Sequence, residues 1–195
     1  MGKEIERKFL VIGQRWKEGV TAVRYRQAYL TLCQTPTKCA VGPPVAVRIR
    51  IATVCQNTTN CGPEAFLTIK KSTLDTVCQN TTNCITRDEF EYPIPIEDAE
   101  AMLNGLCEGD PIEKVRYKVT YGGMLWEIDV FEGANEGLVV AEIELSHPDQ
   151  DFERPPWLGE EVSGDPRYLN TSLSRNPYSQ WPHNLSKHDK LCADL

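Results

Sequence analysis

The chain opens Met1-Gly2-Lys3-Glu4-Ile5-Glu6-Arg7-Lys8, and the alternation of Glu4, Glu6 and Lys8 governs how everything after it is read. In an extended strand, residues two apart point to the same face. Two carboxylates and an ammonium group therefore project together, while Ile5 and Phe9 point the other way. Paired carboxylates suit a hard divalent cation such as magnesium or manganese. A lysine beside them suits an anion held next to that cation. The competing reading is a solvated edge strand, because charged side chains mostly sit on surfaces.

The same alternation recurs along the chain. Short period-two runs cover 23–32, 45–52, 65–71 and 86–94, separated by turn residues that include Gly42-Pro43-Pro44 and Gly62-Pro63. A helix is expected over 97–107, with Ala99, Met102, Leu103 and Leu106 on one face and Glu97 and Asp98 in its first turn. Strands resume over 113–121, 124–131 and 138–145, and a second helix is expected from Asp165 as N-cap with Pro166 at its first position. With the opening strand this makes eight strands, a number that closes naturally into an antiparallel barrel. The expected fold is therefore mainly β (α+β), an eight-stranded antiparallel closed barrel with a few flanking helices, over residues 1–178. The stretch after Asn176 is polar, and 179–195 read as a C-terminal tail.

Each strand carries charge on one face and apolar groups on the other. Arg24 and Arg26 share a face, as do Arg48 and Arg50; Thr68 lies with Lys70, and Arg87 with Glu89 and Glu91. Lys114, Arg116 and Lys118 lie together, as do Glu127 with Asp129 and Glu142 with Glu144. A sheet with one solvated side produces such a pattern. Against it, the charges are segregated by strand, several strands being purely basic while Glu142-Ile143-Glu144 is purely acidic. If the charges face inward, the result is a hydrophilic tunnel. Its cationic walls suit a polyphosphate and its carboxylates suit a metal. The apolar residues would then face outward and need covering by helices.

Composition sets bounds. At 195 residues, 41% hydrophobic and 25% charged, the chain is an ordinary single globular domain. Its net charge of −7 argues against a general nucleic-acid binder. No apolar run reaches the roughly 20 residues of a membrane span, and the charged N-terminus is unlike a secretory signal. The protein is read as cytoplasmic, with no membrane partner.

The Glu4-Ile5-Glu6-Arg7-Lys8 opening resembles the signature of the CYTH superfamily, also called triphosphate tunnel metalloenzymes. The resemblance continues in order through Arg26-Gln27-Ala28-Tyr29-Leu30, Arg48-Ile49-Arg50, Leu67-Thr68-Ile69-Lys70 and Arg87-Asp88-Glu89-Phe90-Glu91. It extends through Glu113-Lys114-Val115-Arg116-Tyr117, Glu127-Ile128-Asp129-Val130-Phe131, Glu142-Ile143-Glu144 and Gly159-Glu160-Glu161-Val162, spanning roughly 3–178. It implies a tunnel that binds triphosphates and requires a divalent metal, Mg or Mn. Carried over residue by residue, Glu4, Glu6, Asp129, Glu142 and Glu144 would hold the metal. Lys8, Arg26, Arg48, Arg50, Lys70, Arg87, Lys114 and Arg116 would hold phosphate oxygens. Arg24 and Lys118 share the right parity as either tunnel-mouth charges or substrate contacts. Tyr29 and Lys70 would serve the nucleophile or leaving-group step, but alternation sets Tyr29 on the face opposite Arg26, so it turns inward only if a bulge lies near Ala28.

The implied activity is metal-dependent, in-line hydrolysis of inorganic triphosphate (tripolyphosphate) to diphosphate and phosphate. Thiamine triphosphatase, nucleoside triphosphatase and adenylate cyclase share the resemblance. These would need an aromatic or apolar shelf at the tunnel mouth, for which Trp16, Trp126 and Trp157 are the candidates. A non-catalytic polyphosphate-binding module is a further alternative, and a calycin-like carrier would instead need an apolar interior. One feature lies outside the resemblance. Cys55-Gln56-Asn57-Thr58-Thr59-Asn60-Cys61 recurs at 78–84, with a degenerate relative from Cys33 to Cys39. All three segments fall between consecutive strands. Reduced inert inserts, hairpin disulfides or redox sensing, and a four-thiolate zinc site from Cys33, Cys39, Cys78 and Cys84 are the competing readings.

Overall fold

A computed structural model describes residues 2–17, 20–31, 45–54, 62–72 and 85–182. It contains one antiparallel sheet of nine strands: β1 (Gly2–Val11), β2 (Thr21–Thr31), β3 (Val45–Val54), β4 (Glu64–Ser72), β5 (Ile85–Ile94), β6 (Glu108–Tyr121), β7 (Met124–Glu132), β8 (Val139–Glu144) and β9 (Leu158–Glu161). The ninth strand was not expected. It is formed by part of the Gly159-Glu160-Glu161-Val162 segment and lies along β1. The strand order is β5-β4-β3-β2-β6-β7-β8-β1-β9. β1 has three partners. Its residues Gly2–Glu6 pair with β5, Glu6–Leu10 pair with β8, and Phe9 and Val11 pair with β9. At Glu6 the partners are β5 and β8, and at Phe9 they are β8 and β9, so β5 and β9 follow one another along the same edge.

Local chemistry explains the turns. β6 and β7 are joined by Gly122-Gly123, with φ +56° and +74°, the backbone a two-residue hairpin demands. Asp165 caps as expected, its carboxylate accepting from the Arg167 backbone N–H, but the turn it starts is a short 3-10 turn. The four-residue helix α2 follows at Asn170–Leu173.

Much of the outer face of the sheet is apolar and covered, although Phe90 and Tyr92 of β5 stay exposed there. Helix α1 (Ile96–Gly105) packs Ala99, Met102 and Leu103 over Ile49, Ile51 and Ala65. Phe9, Trp126, Ile128 and Ile143 lie instead under the segment that carries Phe152, Trp157 and Leu158, with Trp16 at the edge. Trp126 meets Trp157 edge-on at 5.4 Å between ring centroids, a favourable aromatic geometry. Non-helical chain therefore does much of the covering that helices were expected to do. Among the described residues no helix is long and apolar enough to cross a membrane.

The inner face changes character along its length. Leu10, Ile112, Phe131 and Val140 have the same parity as Lys8, Lys114, Asp129 and Glu142, yet they are apolar and packed around Leu173 of α2, with Tyr168, Tyr178 and Trp181. The segment after Asn176 thus continues as packed structure through Trp181. α2 is tied down by a reciprocal pair: the Asp110 N–H donates to Ser174 O at 2.8 Å, and Ser174 Oγ donates to Asp110 O at 2.6 Å.

Candidate active site

The inward charges line a cavity of about 950 Å³. Along β3, β4 and β5 its wall is cationic with embedded carboxylates. Arg48 Nη2 donates to Thr68 Oγ1 at 3.0 Å, to Glu91 at 3.2 Å and to Glu89 at 3.3 Å. Arg50 Nη2 lies 2.5 Å from Glu91, and Lys70 pairs with Glu89. Burial opposes ionisation of Glu91, but Arg50, Thr68 and Arg48 outweigh it and hold the carboxyl below its ordinary value. Burial, then the neighbouring Arg50, lowers the pKa of Arg48.

The wall from β6 round to β1 is richer in carboxylates. Asp129 is 1% exposed and Lys114 is 2% exposed, and they meet at 2.5 Å. Arg116 reaches Asp129 with Nε and Nη2, both at 2.6 Å, Glu142 at 2.8 Å, and Glu127. Burial would depress Arg116, but Asp129, Glu142 and Glu127 together raise it well above its usual value. Burial, then Arg116, bring the Lys114 ammonium down to about 8. Glu142 stays well below the carboxylate range because Lys8 and Arg116 overcome its burial. Lys8 Nζ bonds Glu142 and lies 3.3 Å from Glu6.

Two placements depart from the sequence expectation. In β2 the inward residues are Tyr25, Gln27 and Tyr29, because Tyr29 is paired with Arg48 and Gln27 with Arg50. Arg26 therefore points outward, where it bonds Glu100 at 3.1 Å and Asn104 at 3.2 Å beside α1. Arg24 likewise points outward to Glu132. The β2–β6 ladder does shift register between Gln27 and Tyr29, at Ala28, but along β3 Tyr25, Gln27 and Tyr29 stay in step, so the parity assumed for the arginines was the wrong one. Asp129 is the second departure. It lies beneath Lys114 and Arg116, which engage both of its oxygens. Lys118 is half exposed, 3.7 Å from Glu127 at the periphery.

Lys8, Arg48, Arg50, Lys70, Lys114, Arg116, Tyr29, Glu6, Glu142 and Glu144 all line the one cavity. Glu4 stands opposite Arg87 in the β1–β5 ladder, and their side chains lie outside the described residues. So do the six cysteines of the repeated segments. The cavity wall also includes Glu89 and Glu91, whose parity with Arg87 was the available signal, and Arg175 with Thr171 and Ser172. No strand alternation could have indicated the last three. Trp16, Trp126 and Trp157 are buried in the outer core and line no part of the cavity. Its aromatic side chains, among the described residues, are Tyr25 and Tyr29.

Among the described residues, no three acidic, histidine or cysteine side chains are gathered at metal-binding distance. The donor chemistry nevertheless suits a hard divalent cation, since Glu6, Glu142 and Glu144 offer only carboxylate oxygens. Glu6 stands directly opposite Glu144 in the β1–β8 ladder, and Lys8 opposite Glu142. Like charges directly opposite one another destabilise a sheet on their own. In this arrangement the Lys8 ammonium is the cation that partly offsets them.

The CYTH domain matches residues 2–176. An inorganic triphosphatase of Acetivibrio thermocellus is 41% identical over 181 residues, covering 93% of this chain and 99% of that protein. An inorganic triphosphatase of Nitrosomonas europaea is 37% identical over 175 residues, covering 88% of this chain and 96% of its own. A crystal structure of an inorganic triphosphatase superposes with a TM-score of 0.57 at 33% identity, covering 89% of this chain and 95% of that one.

Proposed function

The chain belongs to the CYTH domain family, and from that premise we propose that it hydrolyses inorganic triphosphate to diphosphate and phosphate inside the charged cavity. The observation that carries this reading is a single cavity lined by Lys8, Arg48, Arg50, Lys70, Lys114 and Arg116, into which Glu6, Glu142 and Glu144 also project. The near full-length similarity to two inorganic triphosphatases supports the same substrate. The pairing of β1 with both β5 and β8 supports a sheet closed into a tunnel round that cavity.

Arginines grip phosphate oxygens through paired N–H donors, and lysines act as point charges. In this reading Arg48, Arg50, Lys114 and Arg116 hold the phosphate chain, exchanging carboxylate contacts for phosphate ones. Asp129 keeps Lys114 and Arg116 in place from beneath. Lys70 and Tyr29 would stabilise the oxygen that leaves with diphosphate, Lys70 as a cation and Tyr29 as a hydroxyl donor. Lys8 leaves its carboxylates for a phosphate oxygen. Glu6, Glu142 and Glu144 would then hold a divalent cation, which neutralises phosphate charge and lowers the pKa of the attacking water. Water's oxygen bonds to the terminal phosphorus as the bridging P–O bond breaks in line, and the released proton passes to solvent.

The test is phosphate release from tripolyphosphate, ATP and thiamine triphosphate, each with magnesium, with manganese and with neither. Turnover of tripolyphosphate well above the other two, only with metal, is expected. Comparable or faster turnover of ATP or thiamine triphosphate would assign the site to another triphosphate. Tight binding of tripolyphosphate without turnover would make it a polyphosphate-binding module.

A further inference from the structure

Tyr25 occupies a singular place in the cavity wall. It is paired with Ala52 on β3 and Lys114 on β6. The inward arginines of those strands lie diagonally from it, because Gln27 faces Arg50 and Val23 faces Arg116. Diagonal neighbours on a sheet are within reach of aromatic and long side chains. Ala52 is small and leaves space for the ring. The Arg50 Cζ lies 5.0 Å from the Tyr25 ring centroid, and the Arg116 Cζ lies 5.8 Å from it. One ring thus stands within cation–π distance of two like-charged guanidinium groups.

We propose that Tyr25 is a positioning residue of the anion site, its ring holding the Arg50 and Arg116 guanidiniums apart and turned toward the bound phosphate chain. The assignment rests on the triphosphatase reading for the identity of the anion, and on geometry alone for the arginines. A guanidinium is attracted to the ring face by its quadrupole, more strongly where water is excluded. The two arginines depend on the ring unequally. Arg116 is tied to Asp129, Glu127 and Glu142. Arg50 is ion-paired to Glu91 through Nη2, and its buried Nε makes no hydrogen bond among the described residues. The ring therefore keeps Arg50 from turning further onto Glu91, and so holds its guanidinium at the cavity wall. A ring already occupied by two cations is also a poor platform for a nucleobase.

The test compares Tyr25→Phe, which keeps the ring face, with Tyr25→Leu and Tyr25→Met, which remove it. The KM for tripolyphosphate should rise about tenfold in the Leu and Met variants, kcat should change by less than about threefold, and Phe should restore both. In substrate-free protein, the Arg50 Nε–Hε NMR resonance should shift in Tyr25→Leu and stay in place in Tyr25→Phe. If Leu does not fold, the Met variant and the wild-type to Phe comparison decide. An unchanged Arg50 resonance in the ring-free variants, or a Phe variant as impaired as Leu, overturns the proposal. If wild-type protein releases no phosphate from tripolyphosphate, the functional reading fails, while the spectra still judge Tyr25.

Discussion

Tyr29 stands directly opposite Arg48 in the β2–β3 ladder, and both side chains enter the charged cavity. That one pairing decides which face of β2 is inside. It brings Tyr25 and Gln27 in with Tyr29 and turns Arg24 and Arg26 out, although Arg26 lies in the same motif as Tyr29.

Arg26 and Arg48 should therefore behave differently on substitution. The Arg26–Glu100 pair is well exposed, and such pairs contribute little to stability. Arg26→Ala should leave the KM for tripolyphosphate within about twofold. Arg48→Ala removes a buried guanidinium and should raise it about a hundredfold. Steady-state kinetics of the two variants side by side decide the matter, and a large effect at Arg26 would mean that it reaches the substrate after all.

Asp129 should matter first for stability. Removing it leaves the buried Lys114 without its close partner and costs Arg116 two contacts. Asp129→Ala should lower the unfolding free energy by about 3–5 kcal/mol. The double change Asp129→Leu with Lys114→Met should recover much of that in urea unfolding while remaining inactive.

Binding should weaken in mild alkali. The Lys114 ammonium titrates near 8 because burial and Arg116 disfavour its charge. As pH rises through that value the cation is lost, and the KM for tripolyphosphate should climb. Stability moves the other way. An unfolded lysine keeps its proton to about 10.4, so between about 8 and 10 the unfolded chain holds more protons and this group's contribution to stability increases. A KM profile flat to about pH 9.5 would contradict the assignment.

Glu144 should show opposite effects on metal and fold. It faces Glu6 across the ladder, so Glu144→Gln relieves a like-charge pair and should stabilise metal-free protein by roughly 0.2–1 kcal/mol. The same change should weaken divalent-metal binding in calorimetry by at least about tenfold and depress phosphate release. Chelation of wild-type protein should abolish release altogether.

Gly109 should tolerate no side chain. Its φ is +75°, and a Cβ there would lie 2.7 Å from both the backbone O and the Oγ of Ser174. The carbonyl cannot move without loosening α2 from β6. Gly109→Ala should cost about 2–4 kcal/mol and raise amide exchange round Leu173. Wild-type protection there would show that the seat of α2 does not depend on this approach.

The sequence by itself determined eight of the nine strands and the sharing of faces within them. Alternation is a local property, and wherever one face is all charge and the other all apolar, as in 47–51 or 114–119, it admits one reading of which residues share a face. It also located, in Glu6, Lys8, Arg48, Arg50, Lys70, Lys114, Arg116, Glu142 and Glu144, residues that the fold brings to one cavity. Only tertiary structure decided β2, where Arg24 and Arg26 on one face compete with Tyr25, Gln27 and Tyr29 on the other, and ladder partners settle what local polarity cannot. It alone placed Arg175, Thr171 and Ser172 in the wall, since α2 is held against the sheet by Leu173 and Ser174 and belongs to no strand. It alone put Asp129 beneath its cations and sent three tryptophans to the outer core. Face sharing follows from backbone geometry within each strand, whereas depth, partner and exposure depend on what the rest of the chain packs against it.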